Sequence, residues 1–283
     1  MRALWARILL RAGELLGTLA WALGVRRQVA LDGLRRAFPE RSEKDRRATA
    51  RAAYRQLGRT LAEVVLSPAL PEEELDRLMR FDNWERYEAA RAKRRGVVIA
   101  VAHFGNWELL ARAAVRRGMD LTVITRTLKG RINQPLLAAR RREGGMRELP
   151  DKGSTEAALQ LLRRGETLGL IVDQNMRASR GIFVDFFGEL ACTTPAAAVF
   201  ALRTGAQLLA IFAVRAPDGT HRVQIEGPFA PPPGARGHSA VRALTQELTR
   251  AVERQVRAHP DHWFWVHRRW KTRPAQTLPK PVP

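Results

Sequence analysis

Cysteine is almost absent from this chain of 283 residues, which contains only Cys192. One thiol cannot build a disulfide framework or a four-cysteine zinc site. Small domains held together by disulfides or by such a zinc site are therefore excluded. A single cysteine also fits a reducing compartment. The length suits one large α/β domain with a substantial core.

Acidic residues and lysine are also scarce. The chain has 28 Asp and Glu against 49 Lys and Arg, a formal net charge of +21, and 43 of the basic residues are arginine. This balance favours a polyanionic partner, and arginine binds phosphate through two parallel hydrogen bonds. A GC-rich genome would raise the arginine content as well. Because no zinc-finger or RNA-recognition motif accompanies the charge, we predict an anionic membrane surface and phosphorylated ligands, and no nucleic acid.

The sequence lacks a long uncharged apolar run. The uncharged stretch near the N-terminus covers only residues 15–25, whereas a spanning helix needs about 20 apolar residues. Basic flanks together with Trp5 and Trp21 are typical of a helix that lies in the lipid headgroup region. We therefore predict a membrane-associated helix over 1–27, lying on the membrane or anchored shallowly. The alternative is an amphipathic helix packed on the domain.

Short apolar runs alternate with amphipathic stretches in the rest of the chain. The runs that predict strands are 97–102, 121–125, 168–172, 207–214 and 221–227, the last with the alternation of an edge strand. The stretches that predict helices are most of 28–80, 106–117, 132–143, 154–164, 195–203 and 238–258. The pattern predicts an α/β domain over 28–283, with a mixed, mostly parallel central sheet flanked by helices.

His103 stands directly after the first of these apolar runs, and Glu108 follows five residues later. The carboxyl end of a buried strand is where α/β sheets bind ligands, and Gly105 allows a tight turn before the next helix. A neutral imidazole can take a proton from a hydroxyl, and a carboxylate on its other nitrogen would fix the tautomer. The pattern predicts a general-base pair of His103 and Glu108. The alternative is a hydrogen-bonded loop histidine beside a helix-capping glutamate.

A histidine and a glutamate separated by four residues resemble the first motif of the glycerolipid-type acyltransferases. More narrowly, the chain resembles the lipid A late acyltransferases, the lauroyl and myristoyl transferases of Gram-negative bacteria. Other segments that resemble motifs of this family follow the family's order: 35–40, 154–166, 173–175, 181–188 and 262–274. The last is the longest, with His-Arg-Arg-Trp-Lys-Thr-Arg-Pro where the family has His-Arg-Arg-Phe-Lys-Thr-Arg-Pro.

The resemblance implies an acyltransferase at the cytoplasmic face of the cell inner membrane. Its donor would be an acyl-carrier-protein or acyl-CoA thioester, and its acceptor a hydroxyl of a lipid A precursor or related phosphorylated glycolipid. Asn175 stands where the family usually has aspartate, and Asp185 where it has proline. The wider superfamily also acylates phosphatidylinositol mannosides and other lipids, so another lipid acceptor stays open.

Five further residues are predicted to bind substrate. Arg126 occupies the position of the family's strand-end arginine, which implies a grip on a substrate phosphate. Asp173 ends the next predicted strand and is expected to orient Arg126 or bind the acceptor hydroxyl, or else to cap a turn. Phe183 lines an acyl channel or fills the core. Asn106 and Gly188 lie in the two loops whose backbone N–H groups are candidates for stabilising an oxyanion.

The predicted reaction is direct transfer from the thioester to the acceptor hydroxyl. No Gly-x-Ser-x-Gly elbow is present, so no acyl-enzyme is required. No metal or nucleotide motif is present either, so we predict no metal ion and no cofactor. Two alternatives stay open: a thioesterase with the same pair, and a non-catalytic basic protein that binds nucleic acid or membranes.

Overall fold

The structure is a computed structural model that describes residues 2–67, 70–125, 138–139 and 141–274. Its N-terminal part is helical. The helices there are α1 (Arg2–Ala22), α2 (Arg27–Ala37), α3 (Glu43–Leu66) and α4 (Glu72–Leu78).

Strands and helices alternate in the remaining chain. The strands are β1 (Met79–Phe81), β2 (Val97–Val101), β3 (Leu121–Thr125), β4 (Arg147–Pro150), β5 (Thr167–Ile171), β6 (Ile182–Phe186), β7 (Glu189–Thr193), β8 (Gln207–Arg215) and β9 (His221–Phe229). The helices are α5 (Glu85–Ala92), α6 (Trp107–Arg116), α7 (Thr155–Arg163), α8 (Ala196–Thr204) and α9 (Gly237–Ala258).

Among the described residues, seven strands form one sheet in the order β1-β9-β8-β2-β5-β3-β4. Neighbouring strands run parallel except β8 and β9, which are antiparallel. Strands β6 and β7 form a separate antiparallel hairpin. The prediction of a mixed, mostly parallel sheet flanked by helices is therefore confirmed.

Hydrophobic cores cover both faces of the sheet. Along β2, Val98 and Ala100 pack into a core shared with α7, α8 and α9, while Val97 and Ile99 pack into one shared with α5 and α6. Successive side chains of a strand point to opposite faces, so a strand covered on both sides is apolar throughout. This explains why β2 appears in the sequence as a continuous apolar run.

Two details of the predicted order differ from the structure. Strand β9 is not an edge strand, because it pairs with β8 on one side and with the three-residue β1 on the other. The sequence pattern does not predict β1, β4, β6 or β7; β1 and β4, with three and four residues, are too short to leave a readable period. The predicted helix 132–143 lies largely outside the described residues, although 138–139 and 141–143 are helical.

Helix α1 packs closely against α3 in an antiparallel pair. A Cβ added at Gly13 would lie 2.4 Å from the carbonyl oxygen of Gly58, and one at Gly17 would lie 2.1 Å from that of Tyr54. Only residues without a side chain allow two helix backbones to approach this closely. Among the described residues, no helix is alone long and apolar enough to cross a bilayer. Ile8–Ala22 and Arg27–Ala37 together meet that length and composition, but with an 88° bend between them.

Candidate functional site

Two neighbouring parallel strands bring His103 and Asp173 together. Val101 at the end of β2 is in register with Ile171 at the end of β5, and the backbone N–H of Val172 continues the ladder to the Val101 carbonyl at 2.9 Å. His103 and Asp173 each lie two residues beyond that registered pair. Parallel strands end at the same edge of a sheet, so the two side chains meet there.

The Asp173 carboxylate binds His103 at two places. Oδ2 accepts the backbone N–H of His103 at 3.0 Å, and Oδ1 lies 2.8 Å from the imidazole Nδ1. Burial by itself raises the pKa of Asp173, but attraction to His103 and the hydrogen bonds it accepts lower that pKa below its ordinary value. An ionised carboxylate only accepts hydrogen bonds. Nδ1 therefore carries a proton, and in the neutral imidazole Nε2 is the hydrogen-bond acceptor.

The C-terminal segment closes the site from the other side. The indole N–H of Trp263 donates to Oδ2 of Asp173 at 2.8 Å, and the backbone N–H of Phe264 donates to the His103 carbonyl at 3.1 Å. Gly105 donates its backbone N–H to the His262 carbonyl oxygen at 2.9 Å. Gly105 has φ +58°, and a Cβ there would lie 1.9 Å from the Ala213 carbonyl oxygen. The tight turn after His103 thus requires glycine, as predicted from the sequence.

The outer nitrogen of His103 faces polar and aromatic neighbours. The side-chain Nε2 of Gln174 lies 3.2 Å from His103 Nε2. The ring edge of Trp107 and the tilted ring of Phe264 flank the imidazole, with centroids 4.9 and 5.6 Å away. Both ring nitrogens are thus engaged, one by the carboxylate of Asp173 and one by the amide of Gln174.

Glu108 does not hydrogen-bond to His103. Its carboxylate accepts from the guanidinium of Arg141, with Nε 2.9 Å from Oε2, and Arg141 also reaches Glu148 at 2.9 Å. Glu108 lies in the first turn of α6, where its side chain points along the helix face toward Arg141. The expected direct contact within the His103–Glu108 pair is therefore absent, although both residues line the same cavity.

Asn106 is fully buried beneath the site. Its Oδ1 accepts the backbone N–H of Leu109 at 3.0 Å, which caps α6, and its Nδ2 donates to Glu63 at 2.7 Å. An asparagine N-cap satisfies one of the free N–H groups of a helix start. In this structure Asn106 therefore fixes the start of the helix that carries Trp107 and Glu108.

A cavity of about 530 Å³ lies beside His103. Its polar lining includes His103, Glu108, Arg141, Gln174, Asn175 and Arg180. Its apolar lining includes residues of β2, β3, β5, β8 and α6: Ile99, Val101, Leu110, Leu121, Val123, Ile171 and Ile211. A mostly apolar cavity with a few convergent polar groups is the usual form of a small-molecule site. Within the described part of the chain, no group of three or more His, Cys, Asp or Glu is arranged to hold a metal ion.

Phe183 and Gly188 lie on the β6–β7 hairpin, and neither is among the described residues that line this cavity. The neighbouring Phe186 and Phe187 are buried in an aromatic cluster with Trp263, Trp270 and Phe38. The backbone N–H of Gly188 donates to Asp185 Oδ1 at 3.2 Å. Arg126 lies outside the described residues.

Trp263 and Gln174 are parts of the site that the sequence alone does not predict. Both occur in segments that resemble family motifs, 262–274 and 173–175, but neither residue type marks a catalytic function alone. The usable signal was positional: Gln174 follows Asp173 at a strand end, and parallel pairing of the two predicted strands would have placed both beside His103.

Comparison with known proteins places this site in a family. The sequence matches the family described as bacterial lipid A biosynthesis acyltransferase over residues 1–272. It is 26% identical over 272 residues to the lipid A biosynthesis lauroyltransferase of Escherichia coli (strain K12), covering 94% of this chain and 86% of that protein. A lipid A biosynthesis palmitoleoyltransferase from the same organism is 24% identical over 268 residues, 93% of this chain and 85% of that protein.

A related enzyme outside lipid A biosynthesis is also similar. The phosphatidylinositol mannoside acyltransferase of Mycobacterium tuberculosis (strain CDC 1551 / Oshkosh) is 28% identical over 229 residues, 77% of this chain and 69% of that protein. The family match covers nearly the whole chain, including His103, Asp173 and the C-terminal segment. The chain therefore belongs to the bacterial lipid A biosynthesis acyltransferase family, and it is an O-acyltransferase that acts on a lipid acceptor.

Proposed function

We propose that His103 is the general base of this acyltransferase and that Asp173 is the carboxylate that orients it. The observation that carries the proposal is the double contact of Asp173 with the backbone and the ring of His103. It holds the proton on Nδ1 and directs the lone pair of Nε2 toward the acceptor. The same arrangement of carboxylate and imidazole activates hydroxyl groups in other acyl-transfer enzymes.

The acceptor hydroxyl displaces the Gln174 amide from Nε2 and gives its proton to that nitrogen. Its oxygen attacks the thioester carbonyl carbon, forming the new C–O bond, and the carbonyl oxygen becomes an oxyanion. The C–S bond then breaks, and the departing sulfur takes the proton from the imidazolium. Asp173 stabilises that cation without accepting its proton.

The oxyanion needs hydrogen-bond donors close to His103. The backbone N–H groups of His103, Phe104 and Gly105 already donate to protein acceptors, as does that of Gly188. We propose that the first turn of α6 and the side-chain amide of Gln174 supply the donors instead. The N-terminus of a helix also favours negative charge through its dipole.

The predicted catalytic role of Glu108 takes an indirect form in this proposal. Glu108 keeps Arg141, one of the cations that line the cavity, in place. Glu108 and Arg141 together would position the polar end of a substrate. Loss of Glu108 would then impair substrate binding as well as turnover.

We propose a phosphorylated lipid, a lipid A precursor or a related glycolipid, as the acceptor, with an acyl-carrier-protein or acyl-CoA thioester as the donor. The names of the relatives and the net charge of +21 support this class. The reaction would take place at the cytoplasmic face of the inner membrane. Arg126 is proposed from the sequence to bind the acceptor's phosphate.

The proposal is tested by supplying the purified protein with acyl-carrier-protein and CoA thioesters and with lipid A precursors, phosphatidylinositol mannosides and phospholipids. We expect mass spectrometry to detect an acylated lipid that His103→Ala does not produce. Thioester loss that proceeds equally without any acceptor would identify a thioesterase and contradict the proposal.

Arg126→Lys, which keeps the positive charge but not the planar guanidinium, should lose activity on a phosphorylated acceptor more than on its dephosphorylated form.

A further inference from the structure

Helices α1 and α3 share an exposed apolar face at one edge of their contact. Its residues include Leu16 of α1, which is 65% exposed, Leu23 directly after α1, which is 71% exposed, and Leu61 of α3, which is 58% exposed. Other large apolar side chains exposed on these two helices are Ile8, Leu9, Leu15, Leu19 and Val65. Folded proteins rarely leave so many large apolar residues together in water unless the surface binds something.

The close helix contact determines which residues share this edge. Gly13 meets Gly58, and Glu14 and Arg59, each one residue later, form an ion pair at 2.8 Å. In an antiparallel helix pair, the residues one position after a contact residue lie at one edge of the interface on both helices. The residues one position before a contact residue lie at the other edge. Leu16 and Leu57, each one residue before a contact glycine, therefore lie together at the opposite edge.

This apolar edge leads to His103. Leu57 and Thr60 of α3 line a shallow groove together with His103, Trp107 and Phe264. Thr60 also donates its hydroxyl hydrogen to the Gly105 carbonyl at 3.3 Å. Leu57, Leu61 and Val65 follow one another at intervals of four residues, so they form a continuous stripe from the groove along α3. His103 thus lies between this groove and the large cavity on its other side.

We propose that the α1–α3 edge is the surface that rests on an anionic lipid bilayer, and that the lipid acceptor reaches His103 from it through the Leu57 groove. The charge beside this edge supports this partner, since Arg26 and Arg27 are exposed directly after α1, next to Leu23 and Val25 in the chain. Basic residues beside an apolar helix face are the arrangement that binds anionic membranes. The inference rests on the proposed function, because it needs an acceptor that a bilayer presents.

The first experiment replaces two leucines of the edge and two exposed leucines elsewhere. Leu16→Asn with Leu61→Asn is compared with Leu190→Asn with Leu202→Asn, whose leucines are 44% and 38% exposed on β7 and α8. Binding is measured by sedimentation with vesicles of phosphatidylcholine alone and with added phosphatidylglycerol. Transfer is measured with the acceptor in vesicles and with a short-chain acceptor that is soluble as a monomer.

We expect the edge variant to bind phosphatidylglycerol vesicles at least about tenfold more weakly, because two leucines no longer enter the bilayer. Its transfer to the vesicle-borne acceptor should fall accordingly, while transfer to the soluble acceptor and the melting temperature stay at the wild-type level. The control variant should match the wild type throughout. Unchanged vesicle binding by the edge variant would overturn the proposal. An equal loss of its transfer to the soluble and the vesicle-borne acceptor would do the same. So would wild-type binding that is equally strong with and without phosphatidylglycerol in the vesicles.

The second experiment tests the groove with Leu57→Trp. A larger side chain there should raise KM for the acceptor several-fold, leaving vesicle binding and KM for the thioester donor unchanged. An unchanged KM for the acceptor would show that it approaches by another route. Vesicle binding needs no turnover, so the outcome for the edge is separate from any failure of the proposed acyl transfer itself.

Discussion

Asp173 contacts His103 through both of its carboxylate oxygens, and Trp263 donates to one of them. A carboxylate held by three donors cannot rotate, so the imidazole plane and the position of Nε2 are fixed before any substrate binds. Trp263 belongs to the C-terminal segment and Asp173 to the end of β5, so residues far apart in the chain set one geometry.

Replacing Asp173 by asparagine should lower kcat by about 10²–10⁴, since an amide can stabilise the wrong imidazole tautomer and cannot balance the imidazolium charge. His103→Ala should lose nearly all transfer, whereas Glu108→Gln should affect KM at least as much as kcat. Initial rates at varied donor and acceptor concentrations separate these effects. If Glu108→Gln abolishes kcat while Asp173→Asn retains it, Glu108 is the catalytic partner and the present assignment is wrong.

The departures from the family pattern have local explanations. Asn175 donates through Nδ2 to the Thr272 hydroxyl at 3.0 Å and accepts the Thr272 N–H at 2.9 Å. An amide can perform both functions, whereas an ionised aspartate could only accept. Asp185 accepts the Gly188 N–H and thereby closes the β6–β7 turn. Neither substitution disturbs the contact between His103 and Asp173.

His267 makes stability depend on pH. Its Nε2 accepts the Asn175 N–H at 2.9 Å, and burial is the main cause that lowers its pKa to about 4. The unfolded chain binds this proton near pH 6.5, before the folded chain does. The free energy of unfolding should therefore fall as pH drops from about 6.5 to about 4, by up to about 1.4 kcal/mol per pH unit.

The measurement is urea unfolding at several pH values between 5.5 and 7. This range lies above the pH at which carboxylate titration dominates the pH dependence of stability. His267→Gln should flatten the slope because glutamine accepts the same hydrogen bond without titrating. The exposed His238 on α9 provides the control, since His238→Gln should leave the slope as it is. Equal slopes for the wild type and His267→Gln would contradict the assignment.

At the scale of elements, a buried ion pair joins α3 to the end of β8. Arg215 donates through Nη2 to Glu63 at 2.7 Å, and both side chains are less than one-tenth exposed. Burial alone would raise the pKa of Glu63, but hydrogen bonds from Arg215 and His221 lower it to about 2. The same carboxylate accepts from Asn106, the cap of α6. The pair therefore links three elements behind the His103 loop.

Glu63→Gln should destabilise the protein by about 3–5 kcal/mol, because it leaves the Arg215 charge buried without a partner. Replacing both residues by apolar ones should recover much of that loss, since no buried charge remains. Glu247→Gln, which breaks the exposed pair with Arg250 on α9, should cost at most about 1 kcal/mol. Chemical denaturation decides; equal small losses for the buried and the exposed pair would remove Glu63 from the framework of the site.

At the scale of the whole molecule, the N-terminal helix packs against α3. Its backbone lies against α3 at Gly58, and Glu14 forms an ion pair with Arg59. Tyr54 of α3 donates its hydroxyl hydrogen to the Val25 carbonyl. Deleting residues 1–25 should therefore move the protein from the membrane fraction and also lower its melting temperature by several degrees. A truncated protein with unchanged melting temperature would show that α1 is an independent anchor.

The sequence by itself determined the local features of this protein. Continuous apolar runs marked the buried strands, and the position of His103 after the first run indicated the functional edge of the sheet. These features follow from side-chain periodicity within a few residues, which any window of the sequence contains. The order of the family-like motifs indicated the acyltransferase family, which the comparison with known proteins shows.

The tertiary structure alone decided which side chains meet. His103 pairs with Asp173, 70 residues away, because β2 and β5 are neighbours in register. Glu108 on α6 is only five residues away from His103, but it forms its ion pair with Arg141 instead. Sequence spacing cannot give this choice, because it depends on the order of strands in the sheet. The apolar edge of α1 and α3 arises in the same way, from a contact between glycines that are far apart in the chain.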